Sequence, residues 1–354
     1  MREGILASAE EEAGAGKKMR TDASAAGENR TASIGRAASS GEDGAKTLRK
    51  TGREEKTPFS GVLLLDKPAG ITSHDLVGRV RRLYGTREVG HTGTLDPMAT
   101  GLLVVLVGRA VKASDMLVTD RKRYAAGLFL GITTDTEDIG GTVRTRSENI
   151  PAPDKVKAVC QSFVGRGEQI PPMYSALKVG GKKLVDLARQ GIEVERVPRP
   201  IEIYSLSVAA GKSPCEYNLD VVSSKGTYIR TLCADIGKAL GCGGVMSSLR
   251  RLASGSFSLD RAVTPEALEQ MTPEERIALL LPVEEVFASY PALRLPAFYE
   301  RLARNGCEIY QEKIGSAYAV GTRLRLYGES GFYAVAEVFS YPAGSAVKII
   351  KRFG

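Results

Sequence analysis

Residues 90–101 read GHTGTLDPMATG and place a single carboxylate, Asp96, among glycines and threonines. Pro97 follows it, and the residue before a proline is pushed out of the helical region into an extended or turn conformation. Gly90, Gly93 and Gly101 permit the close approach of another chain or a ligand. The apolar run LLVVLV that comes next would exclude water from one side. A carboxylate held this way needs a cation to stay charged. Three roles are open to it: nucleophile, general base, or cap of its own turn.

The remaining chemistry-bearing residues narrow the field. The chain has two histidines, His74 and His91, and five scattered cysteines with no CxxC spacing, so no zinc set can be built. Asp135, Glu137 and Asp138 crowd the stretch TTDTEDIGG, but their spacing fits no calcium loop and reads as a turn. Residues 169–200 are basic, with Lys178, Lys182, Lys183, Arg189, Arg196 and Arg199 interleaved with Met173, Tyr174 and Gly180-Gly181. That composition describes a mobile basic flap rather than a core element.

Several elements must position these groups. GVLLLD at 61–66 and LLVVLVG at 102–108 are apolar without alternation, the pattern of strands buried on both faces. Ser73 is placed to cap a helix from His74 to about Tyr84 that ends at Gly85. KRYAAGLFLG at 122–131, IEIYSLSV at 201–208 and EYNLDVVSS at 216–224 read as strands. A helix is expected from about Ala152 to Phe163, and SKGTYIRTLCADIGKALG at 224–241 reads as a tight turn into an amphipathic helix. From about Tyr290 onward, short strands joined by Gly and Pro turns predict a small all-β module.

The 354 residues suggest about two domains, and a hydrophobic share of 43% allows a sizeable core. The net charge is +8. The first 57 residues carry no aromatic side chain and are nearly neutral, so they are expected to be disordered and the basic excess falls on the folded body. On charge alone that excess fits a polyanionic partner and a merely basic soluble protein about equally. No apolar run approaches the roughly 20 residues of a membrane helix, the N-terminus has no apolar signal core, and its acids disfavour a transit peptide without excluding one. A cytoplasmic location with free thiols is expected.

Five stretches in order resemble the bacterial tRNA pseudouridine-55 synthases, the TruB family. They are GVLLLDKPAGITSHD, GHTGTLDPMATGLLVVLVGRAVK, KRYAAGLFLGITTDTEDIGG, IPPMYSALKVGGKKLVDLARQGIE and SKGTYIRTLCADIG. The resemblance implies an α+β catalytic domain over 58–289. It would be built on a mixed, largely antiparallel sheet with helices and a flap insertion at about 166–200. A small C-terminal β-barrel domain of the PUA type would follow over 290–354, after the 1–57 extension. The implied activity detaches uracil from C1′ of one uridine in the T loop of tRNA, rotates it and rejoins it through C5, without cofactor or metal. The implied partner is tRNA, touched at the T arm and the acceptor end, and the implied state is a monomer.

Carried over residue by residue, the resemblance makes Asp96 the catalytic carboxylate. Arg230 would pair with it, Tyr124 would lie against the uracil and Tyr228 would line the same pocket. His91 would help displace the target base, and Lys67 with Pro68 would support the catalytic loop. Leu249, in SLRR, would lie near the pocket, while Lys178, Lys182, Lys183 and Arg189 would contact RNA from the flap. One departure is the stretch GCGGVMSSLRR, whose glycines leave any contact from 242–246 unassigned. Two other readings stand beside this one. An RNA-binding or tRNA-folding module without catalysis would not require Asp96, Tyr124, Tyr228 and Arg230 together. A carboxylate glycosidase would want a second acid beside Asp96.

Overall fold

The computed structural model describes residues 59–116 and 121–354. The expected disorder of residues 1–57 lies outside the described residues. The chain opens with β1 (Gly61–Lys67), α1 (Ser73–Leu83), β2 (Val89–His91) and β3 (Thr100–Val107), continuing through β4 (Lys122–Leu130). A short hairpin, β5 (Ile132–Thr134) and β6 (Val143–Arg146), leads to α2 (Pro153–Ser162) and β7 (Gly165–Gln169). The flap then holds β8 (Lys178–Val179), β9 (Lys182–Lys183) and α3 (Leu184–Ala188). β10 (Arg199–Ala210), β11 (Glu216–Ser223), α4 (Ile229–Leu240), β12 (Gly244–Ser254) and β13 (Phe257–Ser258) complete the large sheet. Two short helices follow, α5 (Pro265–Gln270) and α6 (Pro273–Ala278).

The large sheet runs β1-β3-β12-β4-β11-β10-β7, with β2 and β13 paired to β3 and β12. Every pairing is antiparallel except β3 with β12, so the sheet is mixed, as expected. That single parallel junction sits at the site. In it Arg251 lies opposite Gly101 on β3 and opposite Tyr124 on β4. Gly101 adopts φ +98°, and a Cβ there would lie 2.3 Å from the Arg251 carbonyl oxygen. Neither backbone can yield, so Gly101→Ala is expected to destabilise the protein by about 3 kcal/mol or more. A urea titration of the variant would measure that shift.

β1 and β3 are buried on both faces, as their unbroken apolar runs predicted. Leu63, Leu65, Leu103 and Val105 pack under α1, while Val62, Leu64, Leu102 and Val104 face the opposite layer. That opposite layer contains Val335 and Phe353 from the C-terminal sheet. The C-terminal sheet is formed by β14 (Ala292–Arg294), β15 (Ile309–Tyr310), β16 (Arg323–Gly328), β17 (Gly331–Tyr341) and β18 (Gly344–Arg352), with α7 (Ala297–Arg304) against it. Phe287 stands 5.3 Å from Phe353 and 5.7 Å from Tyr290 between ring centroids, so aromatic packing joins the two sheets. Lys351 at this seam reaches Asp115 at 2.6 Å.

Two local readings need correction. The N-cap of α1 is Thr72, in a capping box with Asp75, rather than Ser73. The box satisfies two backbone donors at once, which a cap at Ser73 would not. The flap is also less detached than its basic composition implied, because Leu184 and Leu187 are buried and give it an apolar foot.

Candidate active site

The catalytic loop is pinned along its length. The Ser73 hydroxyl, free of capping duty, accepts from the Leu95 amide at 2.9 Å and donates to the Leu95 carbonyl at 3.1 Å. Beneath the loop lies Lys67, wholly buried, whose ammonium donates to the carbonyls of Pro68 (2.8 Å), Pro97 (3.2 Å) and Ala99 (2.7 Å). Burial pushes the Lys67 ammonium down to about 8, opposed by the charge of Asp96. The turn after Asp96 is closed by its backbone, with the Ala99 amide donating to the Asp96 carbonyl at 3.0 Å. The side chain is therefore left for another partner, and that partner is Arg230.

Arg230 Nε stands 2.8 Å from Asp96 Oδ2, and its Nη2 donates to Oδ1 at 3.4 Å. The guanidinium is 5% exposed and the carboxylate 33%. A buried cation requires its remaining donors to be satisfied. Nη1 donates to the Thr136 carbonyl (3.0 Å) and Nη2 to the Tyr174 carbonyl (2.8 Å), with Asp138 at 3.8 Å. The acidic turn at 135–138 is thus a bracket for Arg230. It is itself held by Met246, which exchanges backbone hydrogen bonds with Glu137 and Ile139, so residues near 246 buttress the site without lining it. Glu137 adopts φ +64°, an unusual conformation for a side chain with a Cβ, and its carboxylate accepts from the Thr231 hydroxyl. Burial raises the Glu137 carboxyl above its ordinary value, with the Thr231 bond opposing.

Asp96 and Arg230 share the wall of a cavity of about 400 Å³ with Tyr124, Tyr228, Leu249 and Arg251. That volume falls within the usual range of small-molecule sites. Tyr228 is the N-cap of α4, in an extended conformation, and Arg230 follows in the first helical turn. Gln169, at the base of the flap, clamps Tyr228 by accepting from its amide at 2.8 Å and donating to its carbonyl at 3.1 Å. Tyr124 lies on β4 and is 7% exposed. Burial raises its phenol above the ordinary value, and the charge of Arg251, opposite it on β12, opposes that rise. Leu249 lines the cavity and also belongs to the core.

The other expected residues stand further out. His91 is on β2 beside the loop, where its Nδ1 accepts from the Gly93 amide at 3.3 Å. Burial first, then Arg251 and His74, lowers its pKa below the ordinary imidazole value. Lys178, Lys182 and Lys183 are exposed on the β8–β9 hairpin, outside the cavity. Arg189 lines a second hollow of about 330 Å³ with Met98 and Asp138, on which Asp96 and Arg230 also border. Among the described residues no cluster of His, Cys, Asp and Glu could hold a metal ion.

The sequence reading passed over Arg251, although one signal was available. Leu249 and Arg251 are two apart on one strand and so share a face. Placing Leu249 near the pocket placed Arg251 there too.

Known proteins fit this geometry. Residues 81–229 match the family model of the TruB family pseudouridylate synthase N-terminal domain. Residues 230–288 match that of the tRNA pseudouridylate synthase B C-terminal domain. A tRNA pseudouridine synthase B of Syntrophotalea carbinolica is 47% identical over 283 residues, covering 78% of this chain and 92% of the relative. One from Alkaliphilus oremlandii is 47% identical over 276 residues, covering 77% and 91%. Among solved structures, a Cbf5-Nop10-Gar1 complex contains a chain of the same fold with a TM-score of 0.61 at 24% identity, covering 83% of this chain and 85% of that one.

Proposed function

The chain belongs to the TruB family of pseudouridylate synthases, and on that premise we propose that it isomerises uridine 55 in the T loop of tRNA to pseudouridine, with Asp96 as the catalytic carboxylate. The observation that carries this reading is the two-point Asp96–Arg230 pair in a cavity that Tyr124, Tyr174 and Tyr228 also line. Arg230 keeps the carboxylate charged and aimed, and among the described residues Asp96 is the one acid on that cavity wall. It meets the sugar of the bound nucleotide, while Tyr124 and Tyr228 offer surfaces for the detached base. A base buried in a folded RNA loop must be everted to arrive there. Stacking on an aromatic ring returns about 1–3 kcal/mol per base against that unstacking.

The test is release of tritium from C5 of uridine in a labelled tRNA transcript, since the reaction replaces the C5–H bond with a bond to C1′. Release by the full chain supports the reading, and its absence refutes it.

The reading gives the flap the RNA backbone to hold, and the C-terminal sheet the acceptor end. It also carries a monomer acting in the cytoplasm, as the family resemblance implied. Lys182→Ala with Lys183→Ala is expected to weaken tRNA binding and to lower the slope of log affinity against log salt by roughly one per lysine. Filter binding across a salt series measures both, and an unchanged slope removes the hairpin from the interface.

A further inference from the structure

β12 carries two arginines in succession, and strand alternation sends them opposite ways. Arg250 pairs with both oxygens of Asp66, at 3.1 and 2.6 Å. Arg251 is 2% exposed and turns into the cavity wall. Its Nε donates to the Leu102 carbonyl on β3 at 2.7 Å, and its Nη2 to the Gly93 carbonyl in the catalytic loop at 3.0 Å. Tyr124 stands directly opposite it on β4, so the two side chains share the face that lines the cavity. Among the described residues, no carboxylate pairs with Arg251.

A buried cation with no anion is costly, and packing alone does not explain its retention. Both of its acceptors are carbonyls that cannot ionise. Its ionisable neighbour across the strands is the phenol of Tyr124, on the same cavity wall.

We propose that Arg251 is a positioning residue for the isomerisation, acting through Tyr124: it orients the phenol oxygen toward the bound base as acceptor of the C5 proton. This rests on the function proposed above. Tyr124 enters the step as phenolate, its own proton having gone to solvent. Once C5 is bonded to C1′, the C5–H bond breaks and its electron pair restores the C5=C6 double bond. The proton passes to the Tyr124 oxygen, and N1, released from the sugar, takes a proton from solvent. Atoms and charge balance, and the product is an isomer.

Burial first and the charge of Asp96 after it favour the neutral phenol, and the neighbouring Arg251 charge is what opposes them. The other groups around the phenol are Lys122, Tyr174, Tyr228 and Arg230, which line the same cavity, and Lys67 beneath the loop. Arg251 is the cation in register with it on the neighbouring strand.

The test uses the full chain and C5-tritiated tRNA at single turnover, with tRNA binding and thermal melting recorded for each variant. Arg251→Gln is expected to slow release roughly 10²-fold, the usual worth of a general base, with tRNA affinity retained. The pH at which the rate rises should move upward. Arg251→Lys, which keeps the charge and provides a second variant should the glutamine disturb folding, should restore part of the rate and move the profile back. The double variant Arg251→Gln with Tyr124→Phe should be no slower than Tyr124→Phe alone, within about twofold, because the two act as one unit. Tritium release by the wild type with Arg251→Gln unchanged, with losses that multiply in the double variant, or with an unmoved pH profile would overturn the role of Arg251 alone. No release by the wild type would overturn this inference together with the function on which it rests.

Discussion

Asp96→Asn is expected to release tritium from C5-labelled tRNA at a rate lower by on the order of 10⁴-fold, as when a group acting at the reacting bond is removed. The substitution is nearly isosteric, so the loop should survive it. The loop is held through backbone groups, by Lys67 on the Pro97 and Ala99 carbonyls and by Ser73 on Leu95, none of which involves the Asp96 carboxylate. An asparagine oxygen can still accept from Arg230 Nε, but its amide then confronts a guanidinium donor. A small loss of stability, near 1 kcal/mol, is the expected accompaniment. Binding of tRNA should remain within a few fold, since phosphate contacts dominate RNA affinity. Release by Asp96→Asn close to that of the wild type would remove the carboxylate from the chemistry. This experiment also separates an enzyme from a binding module of the same fold, because a module would lose nothing in either arm.

Arg230→Met should be the most damaging substitution for activity and stability together. Methionine fills much of the volume, so the effect is electrical and hydrogen-bonding rather than a cavity. It leaves Asp96, Asp138 and the carbonyls of Thr136 and Tyr174 without their common donor. Breaking one side of a buried pair costs about 3–5 kcal/mol, and the lower end applies because Asp96 is a third exposed. Urea denaturation reads that loss, and tritium release should fall at least about 10²-fold, since the carboxylate is no longer aimed. Arg230→Lys should recover little, because an ammonium cannot span both oxygens of Asp96 and two carbonyls at once. Full activity for the lysine variant would show that charge alone, without the fork, suffices.

Both predictions concern residues legible in the sequence. Asp96, Tyr124, Tyr228 and Arg230 are scattered over more than 130 positions, and their motifs identified each of them; the structure brings all four to one cavity. The strand pattern was also legible, since unbroken apolar runs at β1 and β3 imply cover on both faces. What escaped the reading follows a common cause. The bracket around Arg230 uses the carbonyls of Thr136 and Tyr174, and a carbonyl is present at every residue, so it leaves no mark on side-chain identity. The acids at 135–138 suggested only a turn, because their relation to Arg230 is set by tertiary packing about 90 positions away. The role of Lys67 is similar, since its donors meet three carbonyls that only the fold brings within reach. Arg251 differs, because alternation with Leu249 exposed it and only its pairing with Tyr124 needed the fold.

The seam around Phe287 and Phe353 has a mechanical consequence. The layer that covers β1 and β3 from behind is partly made of the C-terminal sheet itself, so no hinge separates the two. The span from the cavity to the far sheet is then a fixed gauge, unlike the adjustable reach of a tethered module. Under the proposed function, an RNA whose everted nucleotide and distant end do not match that length cannot seat both at once. Such an RNA is rejected by its dimensions before any base is inspected.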